Sequence, residues 1–385
     1  MIISIWYFRY VSANLAEKDF DVMFIKELKL KNFRNYKDLT IDFDERVNLI
    51  TGQNAQGKTN LIESLYMSSM GRSFRTQHDG EMIRFGEDAA YIKVKAEKEY
   101  IDTKVEIVLR SDSRKAVKKD GNTVRRTAEL LDNIIIVVFS PDDLRIVKDE
   151  PEKRRRFIDR ELSQIKPAYF DAYMKYRRAL MERNSYLKND TIDQSMLDIW
   201  DEGLIKYGAL IMNYRRDFVK ELSEISGNIH FNITNGKERV SLRYDPDIDI
   251  AGSVKTQEEF IERQLAASRD NDIRRKTTTR GPHKDDISFI IDNINVRNFG
   301  SQGQQRTSAL SLKLAELEII KKETGENAVL LLDDVMSELD EERREYLIRA
   351  LSENQIFITT TDIDESLTRA YPDAKIIHVE AGEIV

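Results

Sequence analysis

Gly52, Gln53, Asn54, Ala55, Gln56, Gly57, Lys58 and Thr59 place two glycines, a lysine and a hydroxyl at the spacing that grips a polyphosphate. The glycines let the backbone turn tightly and aim its N–H groups at phosphate oxygens, while a helix from Asn60 onward would add its positive dipole end. Lys58 would reach the β- and γ-phosphates of ATP, and Thr59 would place its hydroxyl on Mg²⁺. Far downstream, the apolar run Ala328 to Leu332 ends in Asp333 and Asp334. After a phosphate loop, one such carboxylate serves the metal and its neighbour orients the hydrolytic water. Asp333 is therefore assigned to Mg²⁺, and Asp334 joins Lys58 as a catalytic candidate. Either aspartate could instead simply cap the helix expected over Glu341 to Leu351. Ser301, Gln302, Gly303, Gln304 and Gln305 open a further helix, with Leu310, Leu314, Leu317 and Ile320 on one face. Its N-terminus could meet an anion, or its serine could do no more than cap its own helix.

These groups need rigid elements behind them. Val47 to Ile50 is expected to be the strand that delivers the phosphate loop, and Leu61, Ile62, Leu65 and Tyr66 form an apolar stripe on the helix that leaves it. Alternation of Phe24, Lys26, Leu28 and Leu30 with their neighbours, and again over Leu39 to Phe43, predicts two short strands upstream. Further alternation between Ala90 and Leu109, and the Asp120-Gly121 turn, predict an antiparallel hairpin layer. The apolar run Ile134 to Phe139 is expected to be a buried central strand. Gln355 to Thr359 should be another, ending at Thr360 and Thr361, which could sense a γ-phosphate. From Pro151 to about Arg275 the chain turns rich in Lys, Arg, Glu, Leu and Tyr, and Leu204, Tyr207, Ile211, Tyr214 and Phe218 recur at helical spacing. This predicts a mostly helical insertion, with a small hairpin between Phe231–Thr234 and Val240–Tyr244. The expected units are 23–150 and 276–385 for two parts of a head and 151–275 for a helical arm. Residues 1–22 are expected to be an extension, with Met23 as the native start.

The 385 residues suffice for a large core, and 16 Gly with 6 Pro argue against long disordered tracts. Lys and Arg total 61 against 68 Asp and Glu, so the charge is 61 − 68 = −7, and contact with nucleic acid must come from local basic patches. Such patches occur at Arg72 and Arg75 and in the run Lys153 to Arg156, each of which could equally be a solvated turn or helix face. With 0 Cys, disulfides, thiolate metal sites and cysteine nucleophiles are excluded. His283 lies beside carboxylates in Arg280 to Asp286, but the chain has only 4 His and no second ligand nearby, which disfavours a metal centre there.

Taken in order, the phosphate loop, Ser301 to Gln305, the leucine-rich strand with Asp333-Asp334, Ser337 to Asp340 and Thr360-Thr361 resemble the ABC-type ATPase heads of SMC and Rad50-like DNA repair proteins. The stretches Lys29 to Tyr36, Gly71 to Arg75, Phe139 to Leu144, Arg280 to Asp286 and Leu332 to Asp340 are similar to the RecF family of bacterial recombination mediators, and the likeness runs from Met23 to the C-terminus. The resemblance implies an α/β fold with an α+β lobe: a P-loop ABC-type ATPase head carrying an antiparallel β layer and a mostly helical insertion arm. It implies ATP-dependent dimerisation, in which Ser301 to Gln305 of one protomer face the nucleotide on the other and Asp340 lies in the D-loop. It further implies a cytoplasmic, weak, DNA-stimulated ATPase of DNA replication, recombination, repair and the SOS response. Such a protein recognises gapped or single-strand/double-strand junction DNA and promotes RecA loading with RecO and RecR. Arg72, Arg75, Arg125, Arg126, Arg154 and Arg155 are the implied DNA contacts. Departures from the general ABC pattern also follow: Asp334 stands where many relatives have Glu, no glutamine loop is visible at Ser140 to Leu144, and Thr360 and Thr361 replace a histidine. The shorter carboxylate and the missing histidine point to slow hydrolysis that times residence on DNA. A transporter ATPase subunit and an ATP-binding DNA scaffold without turnover remain the competing classes.

Overall fold

The computed structural model of the protein describes residues 23–385 apart from 99, 100, 126, 127, 132 and 364, so the expected extension 1–22 and Arg126 lie outside the described residues. The strands are β1 (Phe24–Phe33), β2 (Tyr36–Asp42), β3 (Val47–Thr51), β4 (Ala89–Lys98), β5 (Ile101–Arg110), β6 (Ala116–Lys119), β7 (Asn122–Thr123) and β8 (Ile136–Phe139) in the first part. They continue with β9 (Val240–Asp245), β10 (Asp286–Ile291), β11 (Ile294–Asn295), β12 (Val329–Asp333), β13 (Ile356–Thr360), β14 (Lys375–Glu380) and β15 (Glu383–Ile384). The principal helices are α1 (Lys58–Met70), α2 (Pro151–Ile165), α3 (Pro167–Tyr186), α4 (Gln194–Ile233), α5 (Val254–Arg275), α6 (Gln302–Thr324) and α7 (Glu341–Ala350). None of the described helices is long and apolar enough to cross a membrane.

Two six-stranded sheets form the head, which has the expected mixture of parallel and antiparallel layers. One runs β15-β14-β3-β13-β12-β8, parallel except for β15, and the other runs β2-β1-β4-β5-β6-β7, antiparallel throughout. The loop-bearing strand β3 sits inside the parallel sheet, paired with β13 and β14. β8 lies at that sheet's edge and not at its centre, yet every residue in it is buried, because parallel sheets carry cover on both faces. In β1 the alternation slips: Ile25, Leu28, Leu30 and Phe33 point inward, since a bulge between Ile25 and Glu27 absorbs one residue.

The side chain of Gln355 joins the two sheets. Its Oε1 accepts from the Ile25 N–H at 2.7 Å, and its Nε2 donates to the carbonyls of Ile25 (2.9 Å) and Asp44 (2.8 Å). Three hydrogen bonds satisfy a glutamine that is almost wholly buried, as burial of a polar amide requires. Helix α1 departs from the expected single stripe. It is buried nearly all round, and Ser64 and Ser68 are accommodated by donating to the carbonyls of Leu61 and Leu65.

Helices α2 to α5 form the arm, in which α4 alone spans 40 residues, roughly 60 Å at 1.5 Å per residue. The expected Phe231–Thr234 hairpin strand is the last turn of α4, and β9 pairs instead with β10. Thr234 ends the helix by turning its N–H and hydroxyl onto the His230 carbonyl. Buried arginines lock the arm together. Arg183 joins α3 to Asp201 of α4 (2.6 Å) and Asp272 of α5 (2.8 Å). Arg215 of α4 reaches Asp159 of α2 (2.8 Å), Asp285 (2.9 Å) and the Pro282 carbonyl (2.6 Å).

Candidate nucleotide site

The loop from Gly52 to Thr59 leaves β3 and enters α1, which begins at Lys58, two residues earlier than expected. Gly52 and Gly57 sit at φ 143° and 126°, outside the range of other residues, and a Cβ on Gly52 would lie 2.2 Å from the Val379 carbonyl oxygen. Gln53, Asn54 and Ala55 are exposed at the crown. The Lys58 ammonium is buried and folds over the loop, donating to the carbonyls of Gly52 (2.6 Å) and Gln53 (3.2 Å). Thr59 Oγ1 donates to Asp333 Oδ1 at 2.9 Å. A loop hydroxyl and a strand-end carboxylate, 274 residues apart in sequence, are thereby brought to one point. Burial pushes the Asp333 carboxyl up from its ordinary range, while the hydrogen bonds from Thr59 and Thr359 hold it down.

Asp334 follows in the left-handed region (φ 52°), its N–H donating to Thr359 Oγ1 at 2.8 Å. Thr359 also donates to Asp333 at 3.0 Å. On the β13 side, the hydroxyl that reaches the Asp333 carboxylate and the Asp334 backbone is thus Thr359, to which sequence reasoning gave no role. Thr360 turns its own hydroxyl to the Asp362 carbonyl, and Thr361 is exposed. Among the described residues no group of three or more His, Cys, Asp or Glu is placed to hold a metal ion. A hydroxyl with a single carboxylate suits Mg²⁺, which takes one or two protein groups together with nucleotide phosphates.

The turn between β1 and β2 is bolted to the loop. Asn35 donates to the Gln56 carbonyl (2.6 Å) and accepts from Asn60 (2.8 Å), and Tyr36 donates to the Gly57 carbonyl (3.0 Å). Arg34 makes a two-pronged bond to the buried Glu63 of α1 (2.8 and 2.9 Å). From the other side Ala381 N–H donates to Gln56 Oε1 (2.6 Å) and Gly382 N–H to the Gln56 carbonyl (3.0 Å). Nothing in local spacing announces these supports, because they come from opposite ends of the chain.

Ser301 caps α6 in a capping box: its Oγ accepts from Gln304 N–H (3.1 Å) and Gln304 Oε1 accepts from Ser301 N–H (2.9 Å). Ser301 and Gln302 are exposed. Gln304 Nε2 donates to Glu238 of the arm (2.9 Å), Gln305 Nε2 to the Gly300 carbonyl (3.1 Å), and the Gly303 carbonyl accepts from Arg343 of α7 (3.2 Å). Asp340 caps α7 and pairs with the same Arg343. Among the described residues, Ser301 to Gln305 make no hydrogen bond to the loop Gly52 to Thr59 of the same chain.

A cleft of about 1170 Å³ opens from Thr59 and Asp333 toward the arm. Arg72, Arg75, Arg155, Arg156 and Arg177 line it, with Phe74 and Tyr173 between them. Arg72, Arg155 and Arg177 take part in none of the ion pairs found among the described residues, whereas Arg75 is held by Asn60 (2.8 Å) and Glu63 (3.3 Å) beside the nucleotide site. Arg177 lies over the Tyr173 ring, 5.7 Å from its centroid, a placement no local motif signalled. The Arg154 assignment is corrected. Its guanidinium is buried, bonded to both oxygens of Asp286 (2.7 and 2.9 Å) and to the Asp149 carbonyl (2.6 Å), so it has no donor to offer DNA. Arg155 is half-buried and donates to the Asp285 carbonyl (2.6 Å), while Arg125 is exposed after β7. His283 is structural: Nδ1 meets the Tyr176 hydroxyl (2.7 Å), Nε2 meets the Thr278 carbonyl (3.1 Å), and burial lowers its pKa to about 4.

A model of the RecF/RecN/SMC N terminal domain family matches residues 24–384. The chain is 44% identical over 365 residues to the DNA replication and repair protein RecF of Clostridioides difficile (strain 630), covering 94% of this chain and 98% of that protein. It is 43% identical over 366 residues to the protein of the same name from Acetivibrio thermocellus, covering 94% and 99%. Among solved structures, the recombination mediator protein RecF-ATP in the RecFOR pathway superposes with a TM-score of 0.87 at 35% identity, covering 96% of this chain and 99% of that chain. The Smc head domain from Pyrococcus furiosus superposes at 0.53 with 16% identity, covering 94% and 96%, a likeness of fold alone.

Proposed function

Because this chain belongs to the RecF/RecN/SMC N terminal domain family, and within it to the RecF proteins of DNA replication and repair, we propose that it is an ATP-binding recombination mediator of the RecFOR pathway whose two copies pair around nucleotide. The observation that carries the pairing is the separation of the two half-sites. Ser301 to Gln305 are held by Arg343, Glu238 and the Gly300 turn, away from their own phosphate loop, with the cap of α6 facing outward.

In this reading Lys58 moves its ammonium from the loop carbonyls to the β- and γ-phosphates, and Thr59 and Asp333 would hold Mg²⁺, which would supply charge neutralisation. Asp334, fixed by Thr359, orients the attacking water. Its reach is one methylene shorter than a glutamate's, so hydrolysis is slow and sets how long the paired form lasts. The exposed cap of α6 and Asp340 face the γ-phosphate of the other copy, where Thr360 and Thr361 border the same site. Gapped or junction DNA, RecO and RecR, and RecA loading in the cytoplasm complete the role.

Sedimentation with and without ATP tests the pairing. Ser301→Arg is expected to bind ATP and stay monomeric at tenfold the concentration that pairs the parent protein, and Asp334→Asn to retain ATP and accumulate the dimer. An Asp334→Asn protein that stays monomeric at saturating nucleotide rejects the arrangement. Turnover measured without DNA, with duplex and with gapped duplex separates this reading from a scaffold that binds ATP without hydrolysing it.

DNA is assigned to the arginine cleft, where Arg72, Arg155 and Arg177, which form no ion pair among the described residues, share the lining with the rings of Phe74 and Tyr173, a set suited to backbone phosphates and unstacked bases. Replacing Arg72 and Arg177 together with Ala should make the dependence of log affinity on log salt shallower by about 1.4 to 1.8, from roughly 0.7 to 0.9 per phosphate contact. Unchanged affinity and slope would place the DNA elsewhere.

A further inference from the structure

Phe85 is fully exposed (103%), and so, nearly, is Phe299 (77%), with Ile294 (52%) on the same projection. Single exposed apolar side chains are ordinary and need no explanation. These call for one because each is rigidly attached to one half of the proposed two-chain site. Phe85 stands at the apex of a tight turn closed by Glu87 N–H onto the Arg84 carbonyl (3.0 Å), with Gly86 at φ 86°. That turn is fastened to the β1–β2 turn: Arg84 N–H donates to the Asn32 carbonyl (2.8 Å), the Arg84 guanidinium to the Asn35 carbonyl, and Asn32 to Glu87 (2.9 Å). Asn35 in turn holds Gln56 and Asn60 of the nucleotide site. Three bonded steps therefore separate Phe85 from the phosphate loop.

Phe299 is fastened to the other half. It ends the short helix Val296–Phe299, whose Val296 is buried and whose Gly300 N–H returns to the Val296 carbonyl (3.0 Å). Gln305 then clamps this turn through the carbonyls of Val296 (3.3 Å) and Gly300 (3.1 Å), so Phe299 and Ser301 move as one body.

We infer that Phe85 of one copy and Phe299 of a second copy of this chain meet across the ATP-dependent interface, forming an apolar contact outside each nucleotide. The inference rests on the pairing reading above. In a two-fold assembly, any contact between the phosphate-loop side of one chain and the Ser301 side of the other occurs twice. A contact between side chains fixed to those two sides would likewise occur twice. Large aromatic anchors are what interface centres favour, and closing this contact removes four phenylalanine rings from water in each dimer.

The absence of cysteine from the chain makes the test clean. Phe85→Cys and Phe299→Cys proteins are prepared separately, mixed, and treated with a short bis-maleimide cross-linker. Covalent dimer is expected in the mixture with a non-hydrolysable ATP analogue, at least tenfold above the mixture without nucleotide and above either protein alone. Phe299→Ser is expected to weaken nucleotide-dependent dimerisation at least tenfold while leaving ATP affinity unchanged, and as an exposed change it leaves folding intact. If the mixture gives no cross-link and Phe299→Ser pairs normally, while Ser301→Arg still abolishes pairing, the phenylalanine contact is wrong and the pairing stands. If no protein pairs with nucleotide, both fall.

Discussion

Lys58→Ala is expected to weaken ATP binding by two to three orders of magnitude, read as the dissociation constant in a fluorescent-nucleotide titration. Lys58 is the one loop side chain that buries a positive charge where phosphates approach, and its ammonium already has two oxygen partners at 2.6 and 3.2 Å. Exchanging carbonyl partners for phosphate oxygens turns bonds charged on the donor side alone into bonds charged on both sides, worth about 1.5–3 kcal/mol each. A net loss of about 3–4 kcal/mol corresponds to a factor of a few hundred to a thousand, because about 1.4 kcal/mol is tenfold. Lys58→Arg should not restore the parent affinity, since a planar five-donor fork replaces a compact ammonium in a buried seat. An alanine variant binding within threefold of the parent would show that the loop amides alone provide the grip.

Arg215→Met should destabilise the arm by about 3–5 kcal/mol, the usual cost of removing one partner from a buried ion pair. Here the loss leaves two carboxylates behind. Arg215 is the shared partner of Asp159 and Asp285, and it also donates to the Tyr169 hydroxyl (3.3 Å) and the Pro282 carbonyl. Tyr244 donates to Asp285 as well. Burial already raises the Asp285 carboxyl above the ordinary aspartate value near 3.8, with the Arg215 charge opposing the rise. A carboxyl raised in the folded state contributes stability that is fully present below its unfolded pKa and lost as pH rises through its folded one. Without Arg215 the rise is larger, so the deficit of the variant relative to the parent should grow from acid toward neutral pH. Urea unfolding followed by circular dichroism at several pH values measures this. A deficit below about 1 kcal/mol that does not vary with pH would make Arg215 a packing residue only.

How far the site was legible depended on how local its determinants are. The loop from Gly52 to Thr59 could be read because its function needs a fixed local spacing, and the strand ending in Asp333-Asp334 because apolar runs and their polar ends are contiguous. Arg154 was misjudged for the same reason. A run of four cations looks alike from the sequence, and only the approach of Asp286, 132 residues on, takes one of them inside. Thr360 and Thr361 were read as able to sense a γ-phosphate and Thr359 was given no role, since its meeting with Asp333 is decided by the β12–β13 register, in which Asp333 lies opposite Thr359. The hairpin expected at Phe231 failed because α4 continues through that short apolar stretch and β9 finds a distant partner in β10.

The pairing of β3 with β13 and β14, and the two bonds from Ala381 and Gly382 to Gln56, have a consequence for biosynthesis. The phosphate loop leaves the ribosome among the first sixty residues, but its strand has no neighbours and its crown no support until the last thirty follow. Contacts of such long sequence separation form late. A chain interrupted during translation therefore carries the loop without the sheet that shapes it. Removing β13, β14 and the Ala381–Gly382 turn would strip the loop-bearing strand of both hydrogen-bonded neighbours and Gln56 of two of its bonds.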